Sequence, residues 1–151
     1  MYPLGKDFSI LTKHYVGIVS QKLSGIEIER YYYAIVAIGE SKDVLCQKDL
    51  ACSIAADNVT MVRIVDYLSK KGFIRRVQNK EDRRSYHLEL TGKARRALPR
   101  IKKAFDETNA MCLSGFSERE KKVFRHMLKR MHENLEEQPK LDVKLHFKKI
   151  K

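Results

Sequence analysis

The fold is decided by residues 46–90, which read CQKDLACSIAADNVTMVRIVDYLSKKGFIRRVQNKEDRRSYHLEL. Apolar residues recur in this stretch first at helical spacing and then at the two-residue spacing of strands. The pattern predicts two short helices joined by a turn, followed by a two-stranded hairpin with a basic tip. We expect the other segments of the chain to hold this unit in place or to pair it with a partner.

The second helix of this unit has a clear start and a clear end. Asp57 is a favourable N-cap residue, so the helix is predicted to begin at Asn58. It is predicted to end at Lys70-Lys71-Gly72, because cations suit a helix C-terminus and glycine adopts the left-handed conformation that often follows it. Its buried face is predicted from apolar residues at helical spacing, which are Met61, Ile64, Val65 and Leu68.

The opposite face of that helix is partly apolar and indicates a partner surface. It carries Asn58, Val59, Val62, Arg63 and Asp66. Two valines on a stripe that faces solvent are unfavourable unless a partner covers them. The preceding helix is predicted over residues 47–54, and residues 55–57 make the turn. A tight helix-turn-helix of this kind is typical of units that place the second helix in the major groove of DNA.

The hairpin follows the second helix directly. Phe73, Ile74 and Val77 mark its first strand, and residues 86–90 form the return strand, in which the two leucines share one face. The connection between them begins with residues 79–84, which read NKEDRR and are too polar to be buried. Residues 44 and 45 are predicted to add a very short third strand.

Longer helices flank the central unit. They are predicted over residues 7–24 and 27–40, from Thr91 to Gly115 with an interruption at Pro99, and from a capping box at 117–120 to Pro139. The predicted fold class is therefore mainly α with a small β-hairpin wing (α+β). The apolar surface of the terminal helices exceeds what the central unit could cover, which predicts that they pair two copies of the chain. The tail, whose residues 141–147 alternate in hydrophobicity, is either a flexible basic segment or an added strand or partner-binding arm.

Charge and composition restrict the class of protein. The chain has 151 residues, of which 43% are hydrophobic, and a formal net charge of +12. Residues 63–96 hold eleven Lys and Arg against four Asp and Glu, and residues 140–151 hold five lysines against one aspartate. Such local basicity predicts a polyanionic partner, either nucleic acid or an anionic membrane. The sequence has no apolar run of about 18 residues and no signal-peptide pattern, so we expect a cytoplasmic protein without a membrane span.

Catalytic and metal-binding motifs are absent from the sequence. It contains no GxSxG, HExxH, GxxxxGK[ST] or strand-borne GxGxxG motif, so we do not expect an enzyme. Cys46, Cys52 and Cys112 match no zinc spacing and are expected to be free thiols. We expect neither a metal nor a cofactor.

Taken together, the central motifs resemble the MarR family of bacterial winged-helix transcription regulators. The resemblance runs from about residue 8 to residue 137 and depends on the order and spacing of several short segments. These segments are LCQKDLA at 45–51, RIVDYL at 63–68, KKGFI at 70–74, DRR at 82–84 and LELTGK at 88–93.

The resemblance implies a winged helix-turn-helix with terminal dimerisation helices. The helix from Asn58 looks like the family's recognition helix, whereas Asp82 and Arg84 look like its wing-tip pair, in which the arginine enters the minor groove. The chain departs from the family at the start of the wing, where Asn79 and Glu81 replace an aspartate and an arginine. The implied organisation is a helical dimerisation region at 1–40 and 92–138, a DNA-binding lobe at 41–91 and a basic C-terminal tail at 139–151.

Ten residues are predicted to contact DNA. The exposed face of the recognition helix is expected to read bases, since asparagine pairs with adenine, arginine with guanine, and valine packs on a thymine methyl. Thr60 is expected to contact phosphate through its hydroxyl or through the helix N-terminus, and Arg76 and Lys80 are further phosphate candidates. The alternative at each position is a solvated side chain. The ten are Lys48, Asn58, Val59, Thr60, Val62, Arg63, Arg75, Asp82, Arg83 and Arg84.

Other residues are candidates for regulation. An effector pocket between the dimerisation helices and the DNA-binding lobe would be lined by His14, Tyr15, Tyr31 and Tyr32, with Tyr33 beside them. The alternative for each tyrosine is core packing with a hydrogen-bonded hydroxyl. Cys112 is a candidate for redox sensing, and its alternative is a small buried hydrophobic residue.

These expectations combine into one function and two alternatives. The first is a homodimeric DNA-binding transcription regulator, a ligand-responsive repressor that binds a pseudo-palindromic operator. The alternatives are a thiol-based redox-sensing regulator and a sequence-nonspecific nucleic-acid-binding protein. The implied partners are double-stranded operator DNA, a second copy of the chain and a small-molecule effector, with no membrane.

Overall fold

The computed structural model describes residues 3–28, 31–79 and 86–136. Within them lie six helices and two strands, and the division between two compact units falls between Cys112 and Leu113. The elements in chain order are α1 (Leu4–Lys22), α2 (Tyr32–Glu40), α3 (Gln47–Ser53), α4 (Asn58–Lys70), β1 (Ile74–Gln78), β2 (Tyr86–Leu90), α5 (Gly92–Cys112) and α6 (Glu118–Glu136). The predicted fold class, mainly α with a small β-hairpin, is confirmed. No helix in the described part of the chain combines the length and apolar character that crossing a membrane requires.

The buried core surrounds α4. Its inward face is the predicted one, because Met61, Ile64, Val65 and Leu68 are all buried. The residues packed into the same cluster come from every other element of the first unit, and include Val19, Ile35, Leu50, Phe73, Leu88, Leu90 and Ile101. Burial of a side chain of this size contributes about 1.5–3 kcal/mol, so this cluster fixes the rotation of α4 about its own axis.

The helix ends follow local hydrogen-bonding rules. Thr91, at the predicted start of α5, caps this helix by accepting a hydrogen bond from the Ala94 N–H at 3.3 Å. At the start of α6, Ser117 and Glu120 form the predicted capping box, with hydrogen bonds of 2.8 and 3.3 Å. Pro99 lies inside α5, so the helix continues through the predicted interruption.

The second helix is shorter than predicted, because it begins at Tyr32 and not at residue 27. Ile28 is fully buried while still outside a helix. Its N–H donates to the Ile26 carbonyl at 2.9 Å, and the Tyr31 N–H donates to the Ile28 carbonyl at 3.1 Å. Ile28 therefore reaches the core, as its apolar spacing indicates, but without the predicted first turn of helix.

The predicted third strand is reduced to an isolated bridge. Among the described residues the sheet has two antiparallel strands, which pair Ile74 with Leu90 and Gln78 with Tyr86 at its ends. The segment before α3 does pair with β2, because Cys46 forms an isolated antiparallel bridge with His87 and the Leu88 N–H donates to the Leu45 carbonyl at 2.9 Å. The segment cannot extend further as a strand because α3 begins at the next residue. The Cys46 N–H already caps this helix by donating to the Asp49 carboxylate at 2.9 Å.

The turn between α3 and α4 is a Schellman motif with an alanine in the left-handed position. The Ala56 N–H donates to the Ala51 carbonyl at 2.9 Å, and Ala55 has a φ of 51°. Helix α4 ends in the same motif, but there the left-handed residue is Gly72, with a φ of 72°. Because a Cβ disfavours this conformation, Ala55 is strained and Gly72 is not.

We therefore predict opposite effects of exchanging the two residue types. Ala55→Gly should raise the free energy of unfolding by about 0.5–1 kcal/mol, because glycine relieves the strain in the left-handed conformation. Gly72→Ala should lower it by about 1 kcal/mol, although a Cβ at Gly72 would meet no atom within 4 Å. Urea unfolding of the two variants and the wild type measures both changes, and a destabilised Ala55→Gly variant would contradict the assignment of strain.

Candidate nucleic-acid interface

The outward face of α4 presents all the predicted base-reading side chains. Asn58, Thr60 and Arg63 are exposed, and Val59 and Val62 retain 60% and 42% of their accessible surface. This exposure follows from the packing of α4, because the opposite face is buried in the core. The helix therefore offers a mixed polar and apolar stripe that has the composition needed for contact with base edges and thymine methyl groups.

The first turn of α4 is fixed by Asp57. One carboxylate oxygen accepts a hydrogen bond from the Thr60 N–H at 2.8 Å, and the other accepts one from the Thr60 hydroxyl at 2.6 Å. The hydroxyl and then the N–H of Thr60 hold the pKa of Asp57 below its usual value. Since the hydroxyl proton of Thr60 is already directed at Asp57, a phosphate contact through this hydroxyl would require that bond to break.

Helix α3 presents Lys48 to solvent beside its own capped N-terminus. The Cys46 N–H donates to the Asp49 carboxylate at 2.9 Å, and the thiol and backbone of Cys46 lower the pKa of Asp49. The Lys48 ammonium is thus carried on a short helix whose start is well defined, which suits a contact with a phosphate at a fixed position.

The outer face of the hairpin carries an ion pair that the sequence interpretation missed. Arg75 lies opposite Glu89 in the strand register, and its Nη2 and Nε atoms donate to one Glu89 oxygen at 2.6 and 3.0 Å. The other oxygen of Glu89 lies 3.2 Å from His87 Nε2. Arg75 and, secondarily, His87 lower the pKa of Glu89. The pairing follows from the two-residue period and the register, so a register predicted from the sequence would have exposed it.

A second ion pair joins the recognition helix to the hairpin. Arg76 of β1 donates from Nη2 to Asp66 Oδ1 of α4 at 2.6 Å. Arg76 was a phosphate candidate in the sequence interpretation, whereas the structure directs its guanidinium to Asp66. Nothing in the sequence pattern alone joined these two residues, because their contact depends on how the hairpin packs on α4.

The predicted wing tip lies outside the described residues. Asp82, Arg83 and Arg84, together with Lys80 and Glu81, fall between residues 79 and 86. The strands on either side are in register up to the pair formed by Gln78 and Tyr86. The assignment of the tip to DNA contact stays a prediction.

The effector-pocket candidates occupy separate places. The Tyr15 hydroxyl donates to Asn109 Oδ1 of α5 at 2.8 Å, and both Tyr15 and Tyr33 stack on Phe105, with ring centroids 6.5 and 4.7 Å away. Burial, followed by the neighbouring Tyr33, raises the pKa of Tyr15 to about 12, so its hydroxyl is neutral at physiological pH. Asn109 and Phe105 were not among the predicted residues.

The remaining candidates lie away from Phe105 or face solvent. Tyr31 packs edge-on against Tyr67 of α4, with ring centroids 5.2 Å apart. Tyr32 is buried in the core and His14 is exposed. The four predicted pocket residues therefore do not line one pocket: Tyr15 contacts α5, whereas Tyr31 contacts α4.

Cys112 is exposed, so the expectation that it packs as a small buried hydrophobic residue is wrong for this chain. The buried seam of α5 ends at Thr108, whose hydroxyl bonds back to the Ala104 carbonyl at 2.7 Å. Beyond Thr108, residues 109–112 all face solvent. Within residues 3–28, 31–79 and 86–136, no three His, Cys, Asp or Glu side chains come together as metal ligands would.

Comparison with known proteins agrees with this geometry. The MarR family pattern matches residues 34–86, which include α3, α4 and β1 and end at the first residue of β2. A MarR-family transcriptional regulator from Listeria monocytogenes, solved in complex with 26mer DNA, is 25% identical, with a TM-score of 0.81 over 89% of this chain and 90% of that one. The structure of MarR is 27% identical, with a TM-score of 0.69 over 91% of this chain and 100% of that one.

A third solved structure extends the fold match. The MepR–DNA complex from S. aureus is 21% identical to this chain, with a TM-score of 0.82 over 89% of this chain and 100% of that one. The resemblance to the MarR family and the winged-helix fold, both predicted from the sequence, are confirmed.

The Asp57 cap leads to a prediction about pH. Because its folded-state pKa is lowered, the carboxylate stabilises the fold fully above the ordinary aspartate pKa of about 4, and this contribution is lost as the pH falls through the lowered value. The stability difference between wild type and Asp57→Ala should therefore be largest near neutral pH and shrink below about pH 4.

Urea unfolding between pH 3 and pH 7 measures this difference. Asp57→Asn is the matched control, because asparagine keeps a capping oxygen without a titrating charge, and its advantage over alanine should not vary with pH. An equal difference between wild type and Asp57→Ala at both ends of the range would contradict the role assigned to the carboxylate.

Proposed function

Because the chain contains a MarR-family winged-helix domain, we propose that it is a homodimeric transcription regulator that binds a pseudo-palindromic DNA operator. The observation that carries the proposal is the exposed face of α4, on which two valines and Arg63 form one stripe. The opposite face of the helix is buried in the core. The related Listeria protein was solved with DNA, which supports the same partner here. We further propose a cytoplasmic protein without a catalytic role.

In this proposal the N-terminal half of α4 enters the major groove. A helix fits that groove, and the side chains that would meet base edges are Asn58, Val59, Val62 and Arg63. Lys48 of α3 and Arg75 of β1 would contact phosphates on either side, with Arg75 shared between a phosphate and Glu89. Asp82, Arg83 and Arg84, which follow β1 in sequence, would reach the adjacent minor groove, where an arginine is favoured by the negative potential.

The homodimer is supported by apolar surface on the terminal helices. No residue of α6 is buried, although its sequence has a strong apolar stripe. Its exposed apolar residues are Val123, Phe124, Met127, Leu128 and Leu135, and α1 adds Leu4, Phe8 and Leu11. Exposed apolar stripes of this kind, on each helix taken by itself, are typical of association surfaces. A second copy of the chain is the occupant proposed, in keeping with the dimerisation region at 1–40 and 92–138.

Repression and its release by a small molecule complete the proposal. A contact that could carry such a signal joins the segment between α1 and α2 to α4: the Tyr67 hydroxyl donates to the Glu27 carbonyl at 3.3 Å, and Tyr31 packs on the Tyr67 ring. An effector that moved this segment would shift α4 and therefore the spacing of the two reading helices. His14, Tyr15, Tyr31 and Tyr32 remain the proposed effector-responsive residues.

Selection of duplexes from a random-sequence DNA pool tests the proposed function. We predict enrichment of an inverted repeat whose half-sites lie about one helical turn apart, because a two-fold symmetric dimer presents two reading helices. The selected duplex should bind about 10³-fold more tightly than random duplex at the same salt concentration. Failure to enrich any sequence, with strong salt-dependent binding to all duplexes, would instead indicate a sequence-nonspecific binder.

The dimer has a separate test on α6. Phe124→Glu places a charge in the apolar stripe, so we predict that the variant sediments as a monomer at concentrations where the wild type is a dimer. Lys122→Glu introduces the same residue on the opposite side of the helix and should leave the dimer intact. Sedimentation velocity measures both, and a dimeric Phe124→Glu chain would exclude this stripe as the interface.

A further inference from the structure

The ion pair between Asp66 and Arg76 connects the two parts of the proposed DNA-binding surface. The atoms Arg76 Nη2 and Asp66 Oδ1 are 2.6 Å apart, the distance of a charge-assisted hydrogen bond. Asp66 belongs to α4, and Arg76 belongs to β1, the strand that leads to the wing. The side chains are 58% and 37% exposed, so the pair lies at the surface and not in the core.

Asp66 lies on the stripe that faces outward from α4. It follows Val59 and Val62 at spacings of seven and four residues, which places all three on one side of the helix. A carboxylate on a surface that approaches phosphates repels DNA unless a cation neutralises it. The structure supplies that cation from the hairpin, because Arg76 shares its strand face with the buried Ile74 and extends this face beyond the core.

We propose that Asp66 and Arg76 act together as positioning residues, which hold the hairpin at a fixed orientation relative to α4. The inference rests on the proposed function and concerns the regulation of specificity within that same surface. The pair sets the distance between the major-groove contact of α4 and the minor-groove contact of the wing. Arg76 itself does not act as a phosphate ligand.

The alternative role for the pair is structural, and the exposure of both side chains argues against it. Exposed ion pairs contribute little to folding stability because water screens the charges and ordering the side chains costs entropy. The core contacts of Phe73, Ile74, Leu88 and Leu90 already attach the hairpin to the rest of the first unit. The apolar residues therefore attach the hairpin to the core, and the ion pair fixes the orientation of the hairpin relative to α4.

Asp66→Asn separates positioning from simple electrostatics. Removing a negative charge from a DNA-binding surface should strengthen binding to every duplex if charge alone matters. If the pair positions the wing, the variant should bind the duplex selected by the wild type about fivefold or more weakly, while binding random duplex as well as the wild type or better. The measured quantity is the ratio of the two affinities at one salt concentration.

Three controls accompany this variant. Asp106→Asn removes the same charge from α5, far along the chain from α4, and should leave the affinity ratio unchanged. Arg76→Gln should reduce the ratio as much as Asp66→Asn does, and the double variant should cost no more than either single change, since both break one interaction. Melting temperatures of all variants should stay close to that of the wild type.

The outcomes distinguish this inference from the proposed function. If the wild-type chain enriches no sequence from the random pool, both the proposed function and this inference are contradicted. A sequence-specific wild type with an Asp66→Asn variant of unchanged ratio overturns the inference alone. A melting temperature that falls in parallel with the affinity ratio assigns the pair a structural role and also overturns it.

Discussion

Burial of one face of α4 fixes the positions of the elements packed around it. Met61, Ile64, Val65 and Leu68 are packed among residues from α1, α2, α3, α5 and the hairpin, so the helix cannot rotate without opening the core. Its outward residues are exposed as a consequence. The same packing places β1 against the C-terminal half of α4, which brings the hairpin and the recognition helix to one surface.

The positive charge on this surface is partly balanced by carboxylates. On the outer face of the hairpin, Glu89 pairs with both Arg75 and His87. On the face of the hairpin that packs on α4, Arg76 forms an ion pair with Asp66 of that helix. Such pairing limits nonspecific attraction to phosphate, because an arginine held by a carboxylate gains less from binding a polyanion. The chain thus combines a net charge of +12 with individual arginines whose positions are fixed, which suits discrimination between sequences.

Local sequence rules predicted the parts of the fold that local forces determine. The N-cap at Asp57, the end of α4 at Gly72 and the return strand at 86–90 follow from capping and periodicity, and the structure has them. Long-range packing accounts for the errors: Ile28 is buried ahead of α2 and not within it, and Cys112 lies past the buried seam of α5. The pairing of Arg76 with Asp66 was missed for the same reason, since it requires the packing of the hairpin on α4.

Dimethyl sulfate footprinting on the selected duplex can locate both copies of α4 and both wings, because the reagent reports guanine N7 in the major groove and adenine N3 in the minor groove. We predict two regions of guanine protection, centred about one helical turn apart and each flanked by protected adenines. This pattern requires two copies of α4 in successive major grooves, with a wing beside each. A single protected region, or protection confined to the minor groove, would contradict it.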